Sequence, residues 1–243
     1  MSRILERSSP LNLENIVAVV TGCSTGLGVS ICRSLLNCNA FVLGVDINDA
    51  HETTNGRPGK GTHFQHLRID ITDPTAGEKI IARSAEEYGA HLGIGLLLNV
   101  AGIYDDSKGA HNFDDETFAR VMKVNLEAPV RLMRTVVSSM LEKEKAGVII
   151  NIGGKHVAEG GTGITFAASK EALVRIGATK RTAETYRSQG IRCYIVVPGG
   201  LSENHPSDRV KSPTRDIANT VLFLASAMGK GIASGEVVHV GAM

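Results

Sequence analysis

The sequence is poor in cysteine and lacks paired metal-ligand spacing. Its 4 cysteines fall singly along 243 residues, at Cys23, Cys32, Cys38 and Cys193. A chain of this length can bury a core large enough to fold without disulfides, so we expect free thiols, as in a reducing cytoplasm. The pair His63 and His66 lacks the third and fourth ligands that a metal site needs, and we expect no metal.

Long apolar runs and an excess of one charge are also missing. No stretch approaches the roughly 18 apolar residues of a membrane span, and the first 14 residues carry charges and a proline where a signal peptide needs an apolar run. The formal net charge is +1 and the basic residues are scattered, which argues against nucleic acid or an anionic membrane as a partner. We therefore expect a soluble, cytoplasmic protein that binds a small molecule.

What the sequence does contain is a regular alternation of apolar strands and helices. Hydrophobic residues make up 42% and charged residues 21%, as in ordinary globular domains. We predict a tail over residues 1–12 and one α/β domain over residues 13–243, built on a doubly wound parallel sheet. The predicted strands are Ile16–Thr21, Phe41–Val45, His63–Ile71, Ile94–Asn99, one that ends at Asn151–Ile152, Cys193–Val197 and Val237–Val240. The predicted helices include Thr75–Tyr88, Asp115–Leu141, Ile164–Arg187 and one that begins at Pro213. The helical pattern of Asp115–Leu141 is interrupted at Pro129.

A glycine-rich turn follows the first strand and opens the first helix. It consists of Gly22, Gly26 and Gly28, with Ser24, Thr25 and Leu27 between them. Such glycines let backbone N–H groups and the N-terminus of the helix approach a pyrophosphate. A tight strand-to-helix turn without any ligand explains the same glycines, because a glycine triplet alone is weak evidence. The strand that follows favours a dinucleotide.

That second strand ends in an acidic residue, Asp46, about eighteen residues after the last glycine. A carboxylate there can hold the 2′-hydroxyl of an adenosine ribose, and it would repel a 2′-phosphate. No arginine or lysine adjoins Asp46, which is followed by Ile47, to bind such a phosphate. We therefore predict NAD(H) as the cofactor, with NADP(H) as the alternative.

Residues 150–170 join a buried strand, a glycine-rich loop and a helix. This stretch resembles the catalytic stretch of the short-chain dehydrogenase/reductase family. In that family a serine and a tyrosine act on the reacting carbonyl, and a lysine four residues after the tyrosine holds the cofactor. Here the serine positions read Gly153 and Gly154, and the tyrosine position reads Phe166. The lysine is kept as Lys170.

The resemblance extends along nearly the whole chain and implies a Rossmann-type fold that binds NAD(P). Asn125, in a Val-Asn-Leu setting, matches the active-site asparagine of the family. The resemblance further places Asp70, Ile71, Asn99, Ala101, Gly102, Lys170, Pro198 and Gly199 at the cofactor. Only thirteen residues separate Gly199 from Pro213, where most family members have a longer lid, so we expect an open pocket.

The resemblance also implies that two helices, Asp115–Leu141 and Ile164–Arg187, pair across a two-fold axis. Both carry more apolar positions than one face of a sheet can cover. These positions include Val136, Val137, Met140, Leu173 and Ile176. We expect a homodimer or homotetramer.

The altered site is expected to have lost ordinary carbonyl chemistry. Phenylalanine has no exchangeable proton, and general acid catalysis contributes typically about 10²–10⁴ in rate. Hydride transfer itself needs only a nicotinamide and an electrophile held close to it, and an iminium carbon requires no proton. Divergent family members in fungal alkaloid pathways combine iminium reduction with a Diels–Alder cyclisation. This sequence is similar to them in fold and in its missing serine and tyrosine.

Four side chains are conceivable replacements for the missing proton donor. They are Lys155, His156 and Glu159, in the loop beside the serine position, and Tyr104, after the fourth strand. We expect each of them to be solvated, because loops of this kind are usually polar and exposed.

Three interpretations remain open for the function. The protein is an enzyme that reduces an iminium-type electrophile or cyclises a bulky natural-product intermediate, a catalytically silent NAD(P)-binding scaffold, or an ordinary carbonyl reductase with an inactivating Tyr-to-Phe change. Glycine at position 154 argues against the third, since one change would suffice to inactivate. The retention of Asn125 and Lys170 favours the first over the second.

Overall fold

A single parallel sheet forms the centre of the molecule. The computed structural model describes residues 11–50, 63–105, 109–154, 163–175, 178–199 and 214–241. The strands are β1 (Val17–Thr21), β2 (Phe41–Asp46), β3 (Phe64–Arg68), β4 (Ile94–Asn99), β5 (Gly147–Ile152), β6 (Ile191–Pro198) and β7 (Val237–Val240). The strands β1, β4 and β5 are buried along their whole length, as is typical of parallel strands that are covered on both faces.

Helices pack on both faces of this sheet. They are α1 (Gly26–Asn37), α2 (Ala76–Tyr88), α3 (Asp115–Met122), α4 (Ala128–Glu142), α5 (Ile164–Arg175), α6 (Ala178–Thr185) and α7 (Thr214–Ala225), with a π-helical turn at Lys123–Glu127 and short 3-10 turns at Arg187–Gln189 and Met228–Gly231. One apolar core lies under α1 and α7, around Leu35 and Val221. The other lies under α2 and α4, around Ile80 and Leu132.

The strand order creates a crevice at one edge of the sheet. The order is β3-β2-β1-β4-β5-β6-β7, so the chain builds outward from β1 to β3 and then returns to place β4 beside β1. In open α/β sheets, ligands bind outside the carboxyl ends of the strands at such a reversal. The predicted doubly wound parallel sheet is confirmed. None of the described helices is long and apolar enough to cross a membrane.

The third strand is shorter than the sequence predicts, because it ends at Arg68 rather than at Ile71. Asp70 forms a turn instead: its side chain accepts a hydrogen bond from the Thr72 N–H at 2.8 Å, and its carbonyl accepts one from the Asp73 N–H at 3.1 Å. Asp70 and Ile71 therefore lie in a loop at the mouth of the crevice, beyond the end of β3.

The predicted helix Asp115–Leu141 is divided by the π-helical turn into α3 and α4. Pro129 lies in the first turn of α4. In a continuous α-helix the carbonyl of Asn125 would accept the N–H of residue 129, which proline lacks. The interruption of the helix thus falls one turn before Pro129, at Asn125. The predicted helix Ile164–Arg187 consists of α5 and α6, which are separate elements.

The apolar residues that were expected to face a partner lie in the core of this chain. Val136, Val137, Met140 and Leu173 are all buried within the single chain, so these four side chains do not form a surface for a partner, and the assembly itself stays a prediction. The exposed large apolar side chains of these helices are Phe118, Val130, Leu141 and Ile164. Ile176, the segment 200–212, the helix start at Pro213 and residues 1–10 of the tail lie outside the described residues.

Candidate functional site

A cavity of about 890 Å³ opens at the carboxyl ends of β1, β2, β4 and β5. Its walls bring together many residues that the sequence predicts for a dinucleotide site. These are Gly22, Thr25, Leu27, Gly28, Asp46, Ile47, Asp70, Ile71, Ala101, Gly102, Phe166 and Lys170. A volume of this order suits a cofactor site.

Other predicted residues lie behind the cavity wall or at its edge. Asn99 is buried in the sheet, where its side-chain N–H donates to Asn151 Oδ1 at 2.7 Å. Pro198 ends β6, and the Gly199 N–H donates to the carbonyl of Val240. These residues support the sheet edge beneath the cavity rather than line the cavity itself. Four more predicted residues are also absent from the described cavity wall: Ser24, Gly26, Asn125 and Gly154.

The glycine turn brings backbone close to the cavity. Gly22 has a φ of +70°, and a Cβ added to it would lie 2.8 Å from the Cα of Ala101. A Cβ added at Gly28 would lie only 1.9 Å from the carbonyl oxygen of Gly22. Thr25 precedes α1 without a side-chain hydrogen bond to the helix, so the N–H groups of its first turn are left for another acceptor. The turn therefore fits a pyrophosphate.

The carboxylate of Asp46 is held in place at the rim of the cavity. Its Oδ2 accepts a hydrogen bond from the Ser24 N–H at 3.0 Å, and its Oδ1 accepts one from the Asn48 N–H at 3.0 Å. This position at the end of β2 is the one expected for a residue that binds the adenosine ribose.

An arginine does lie beside Asp46, which the sequence analysis missed. Arg68 is paired with Asp46 in the register of β2 and β3. Its guanidinium donates to the Ile47 carbonyl at 2.9 Å and to Asp49 Oδ1 at 3.2 Å. Only the register of two strands that are distant in sequence shows this neighbour, so no local pattern could have predicted it.

Lys170 is a buried cation at the inner end of the cavity. The α5 helix places it one turn after Phe166, on the same face. Its ammonium donates to the carbonyl of Ile152 at 2.9 Å. Burial lowers the pKa of Lys170 to about 8. A Cβ added to Gly102 would lie 3.3 Å from the Lys170 Nζ, so the β4 loop approaches the ammonium closely.

Asn125 lies in the π-helical turn, and its side chain connects the loop after β4 to helix α5 through hydrogen bonds. It is fully buried. Its Oδ1 accepts from the Ile103 N–H and its Nδ2 donates to the Ile103 carbonyl, both at 2.9 Å. The same Nδ2 donates to the Ser169 hydroxyl at 3.1 Å. Asn125 therefore fixes the position of the β4 loop relative to the helix that carries Lys170.

Phe166 packs against Gly154, one of the two positions where the family resemblance places a serine. A Cβ added at Gly154 would lie 3.0 Å from Phe166 Cε1 and 3.2 Å from Lys170 Cγ. A Cβ at Gly153 would lie 2.9 Å from Val197 Cγ2. The ring of Phe166 is buried, so its edge rests against the bare backbone of Gly154. No hydroxyl is offered to the cavity from either position.

Tyr104 lies against Phe166 in the wall of the same cavity. It is 59% exposed, yet its ring stacks on the Phe166 ring with the centroids 4.5 Å apart and the planes at 17°. Partial burial raises the pKa of Tyr104 above its ordinary value of 10. The sequence predicts only a solvated side chain at this position. The other conceivable donors, Lys155, His156 and Glu159, lie outside the described residues.

Asp105 is a buried carboxylate that the sequence analysis did not select. Its Oδ2 accepts the backbone N–H groups of Thr165 at 2.7 Å and Phe166 at 2.9 Å, so it caps the first turn of α5 from a distant loop. Gly163 is needed beside it, since a Cβ there would lie 2.2 Å from Asp105 Oδ1. No short-range signal predicts such a cap, because the two partners are far apart in sequence.

Within the part of the chain that the structure describes, no group of three or more His, Cys, Asp or Glu side chains is arranged to hold a metal ion. The described cysteines are free thiols, and burial raises the pKa of Cys23 and of Cys193 to about 12. The described cavity is lined by Lys170, Tyr104, Asp46 and Asp70, together with the basic residues Arg120 and Lys123.

Comparisons with known proteins agree with this geometry. A family model described as "short chain dehydrogenase" matches residues 16–212. "Short chain dehydrogenase adrF" of Penicillium roqueforti is 32% identical, covering 94% of this chain and 96% of that protein. "Short chain dehydrogenase ple7" of Rhodocybe pseudopiperita is 37% identical, covering 79% of this chain and 73% of that protein.

Solved structures share the fold. The crystal structure of a short chain dehydrogenase from Leptospira borgpetersenii with bound NAD+ aligns with a TM-score of 0.82 at 23% identity, covering 96% of this chain and 93% of that chain. An oxidoreductase of the short chain dehydrogenase/reductase family from Brucella ovis aligns with a TM-score of 0.76, also at 23% identity, over 93% of this chain and 100% of that chain. The family predicted from the sequence is confirmed: the chain belongs to the short chain dehydrogenase family.

Proposed function

We propose that this protein is an NAD(H)-dependent oxidoreductase whose substrate carbon is already activated, such as an iminium carbon in a bulky natural-product intermediate. The same pocket would hold such an intermediate in a conformation from which it can cyclise. One observation carries the proposal: Lys170 is kept buried at the cavity, while positions 154 and 166 offer no hydroxyl. Hydride transfer needs an electrophile held close to a nicotinamide, whereas reduction of a ketone also needs a proton. A carbon that is already electrophilic does not depend on the missing groups.

The cofactor half of the proposal is supported by the glycine turn and by Asp46. Gly22 and Gly28 let the turn pack tightly against Ala101 and against itself, the start of α1 has no side-chain cap and can accept a pyrophosphate, and Asp46 stands where it can accept from a ribose 2′-hydroxyl. When bound, the reduced nicotinamide supplies a hydride. The Leptospira protein of similar fold carries NAD+ in its crystal structure, which favours the same class of cofactor here. NADP(H) stays an alternative, because Arg68 lies beside Asp46.

The substrate half is supported by the aromatic wall that Tyr104 and Phe166 form at the cavity. An aromatic substrate ring can stack on such a wall for roughly 0.5–1.5 kcal/mol beyond its buried area. A cation is attracted to the face of such a ring by roughly 0.5–2 kcal/mol. This attraction offsets part of the repulsion that an iminium ion would meet from the Lys170 ammonium.

A panel of cyclic iminium ions and matched ketones, offered with NADH and with NADPH, tests the proposal. We expect the wild type to reduce iminium ions well ahead of ketones, and the Phe166→Tyr variant to reduce iminium ions at the same or a lower rate, because that step uses no phenol at position 166. Lys170→Met is the control for background reduction by free NADH. If the wild type neither reduces any iminium nor converts an azadiene faster than buffer, the catalytically silent scaffold is the correct interpretation.

The proposal includes assembly into a homodimer or homotetramer. An apolar groove lies between the α3–α4 region and the α5–α6 region, lined by Ala119, Met122, Leu126, Val130 and Ala172 together with polar side chains. Val130 is 40% exposed there in the single chain. A two-fold axis along this groove would bury the apolar side chains of both copies against each other.

A further inference from the structure

We propose that Tyr104 is a catalytic acid of this cavity and acts from beside the position of the missing phenol. The inference goes beyond the proposed function, which requires no proton, and gives the protein a second activity: the reduction of neutral carbonyl substrates. The geometry that points to it is the face-to-face contact of the Tyr104 and Phe166 rings, with centroids 4.5 Å apart. By resemblance to the family, the Phe166 ring marks the place where the proton donor belongs.

The backbone on both sides of Tyr104 is tied to the site. Before it, Ile103 exchanges two hydrogen bonds with the buried side chain of Asn125. After it, the Asp105 carboxylate accepts the N–H groups of the first turn of α5, including that of Phe166. A tyrosine on an ordinary surface loop would not lie between two residues that are both held by buried hydrogen bonds. The backbone at Tyr104 is therefore held relative to Asn125 and Phe166, and the Tyr104 ring stacks on Phe166.

The phenol also has the protonation and the water access that an acid needs. Partial burial raises the pKa of Tyr104, so the hydroxyl keeps its proton at neutral pH. The residue is 59% exposed, so a phenolate can recover a proton from solvent after each turnover. Lys170 lies near the same ring, with its Nζ 5.9 Å from the Phe166 centroid.

In the reduction of a ketone, the hydride and the proton come from different donors. The carbonyl carbon gains a hydride, which is one proton and two electrons, from the reduced nicotinamide that the family's chemistry supplies. The π electrons of the C=O bond move to the oxygen, which takes the proton of the Tyr104 hydroxyl. The products are the alcohol, the oxidised nicotinamide and a phenolate, and water returns the proton to the phenolate.

Four proteins test the inference: the wild type, Tyr104→Phe, Phe166→Tyr and the double variant Tyr104→Phe/Phe166→Tyr. Tyr104→Phe keeps the ring that stacks on Phe166, so the variant should fold. We expect it to lose ketone turnover by at least about 10²-fold, a loss much larger than any change in its iminium turnover. The double variant should regain ketone turnover, because it carries the phenol at the family position. Tyr186→Phe, which removes a hydroxyl outside the cavity, is the matched control and should change neither rate.

A spectroscopic readout tests the phenol without any cofactor. The chain has 4 tyrosines, and the difference between the ultraviolet pH titrations of the wild type and Tyr104→Phe isolates Tyr104. We expect its ionisation above pH 10, in the direction that its partial burial gives. Ionisation at or below the ordinary value would contradict an acid that is shielded by the Phe166 ring.

The outcomes separate this inference from the proposed function. If Tyr104→Phe reduces ketones as fast as the wild type, or if the wild type reduces iminium ions but no ketone, the inference is wrong and the proposed function stands. If ketones alone are reduced and the rate depends on Tyr104, the inference holds and the proposed function fails. Loss of both activities in Tyr104→Phe would also overturn the inference, because a proton donor is not required by an iminium ion.

Discussion

Replacing the buried lysine by methionine should stabilise the cofactor-free protein at neutral pH while it removes activity. Lys170 places an ammonium in a buried position, where its Nζ donates a hydrogen bond to the Ile152 carbonyl. Burial lowers its pKa from 10.5 to about 8. A methionine of similar length fills the same space without a charge. The chain therefore maintains a costly cation at this site, which is expected of a functional residue rather than of a structural one.

The size and the sign of the effect follow from the pKa. Between about pH 8 and pH 10.5 the unfolded chain binds a proton at Lys170 that the folded chain does not, so wild-type stability rises with pH over this window. The rise amounts to about 3 kcal/mol, since each pKa unit corresponds to about 1.4 kcal/mol. Losing the hydrogen bond to Ile152 costs about 1 kcal/mol in the variant. Lys170→Met should thus be more stable than the wild type by about 2 kcal/mol at pH 7 and less stable by about 1 kcal/mol near pH 10.5.

Urea unfolding followed by far-ultraviolet circular dichroism measures this difference, without cofactor, at several pH values from 7 to about 10.5. Taking the difference between wild type and variant cancels other groups that titrate in this range, such as Lys145, whose pKa is also lowered by burial. Lys180→Met, at an exposed position of α6, is the control and should change little at any pH. A stability difference between Lys170→Met and wild type that does not vary with pH would refute the view that this ammonium is desolvated.

Two other variants test the cofactor and assembly proposals. Asp46→Ala should shift the ratio of NADH to NADPH affinity towards NADPH by at least roughly tenfold in a fluorescence titration, because it removes the charge that repels a 2′-phosphate and leaves Arg68 beside the site. An unchanged ratio, or no binding of either dinucleotide to the wild type, would contradict the assigned role of Asp46. Val130→Glu should convert the assembly to monomers in light scattering at micromolar concentration, because it places a charge in the apolar groove. A wild type that is itself monomeric would rule out the groove as a subunit interface.

The fold was predictable because each strand and each turn has a local signal. β1, β4 and β5 are continuous apolar runs, and the sheet buries them on both faces. The glycines of the first turn are required where a Cβ would strike backbone, as at Gly22 and Gly28. Boundaries were less predictable, because the end of β3 depends on a turn at Asp70 and the break in the α3–α4 helix falls at Asn125, one turn before Pro129.

Contacts between distant segments were not predictable from one sequence. Arg68 reaches Asp46 through the register of two strands, and Asp105 reaches the first turn of α5 across a loop. Tyr104 was considered as a proton donor from its place after β4, but its stacking on Phe166 depends on how α5 packs against that loop. The apolar positions of α4, such as Val136, were misassigned because the sequence does not show which face of the helix meets the sheet.

Gly154 and Phe166 are linked by packing. The Phe166 ring lies so close to Gly154 that even a Cβ at that position would be 3.0 Å from the ring and 3.2 Å from the side chain of Lys170. A serine at position 154 would require the ring to move, and a well-packed wall resists such shifts by typically 1–3 kcal/mol. The edge of the Phe166 ring packs against Gly154, and its face stacks on Tyr104. These contacts together form a wall of the cavity with an apolar residue at position 166.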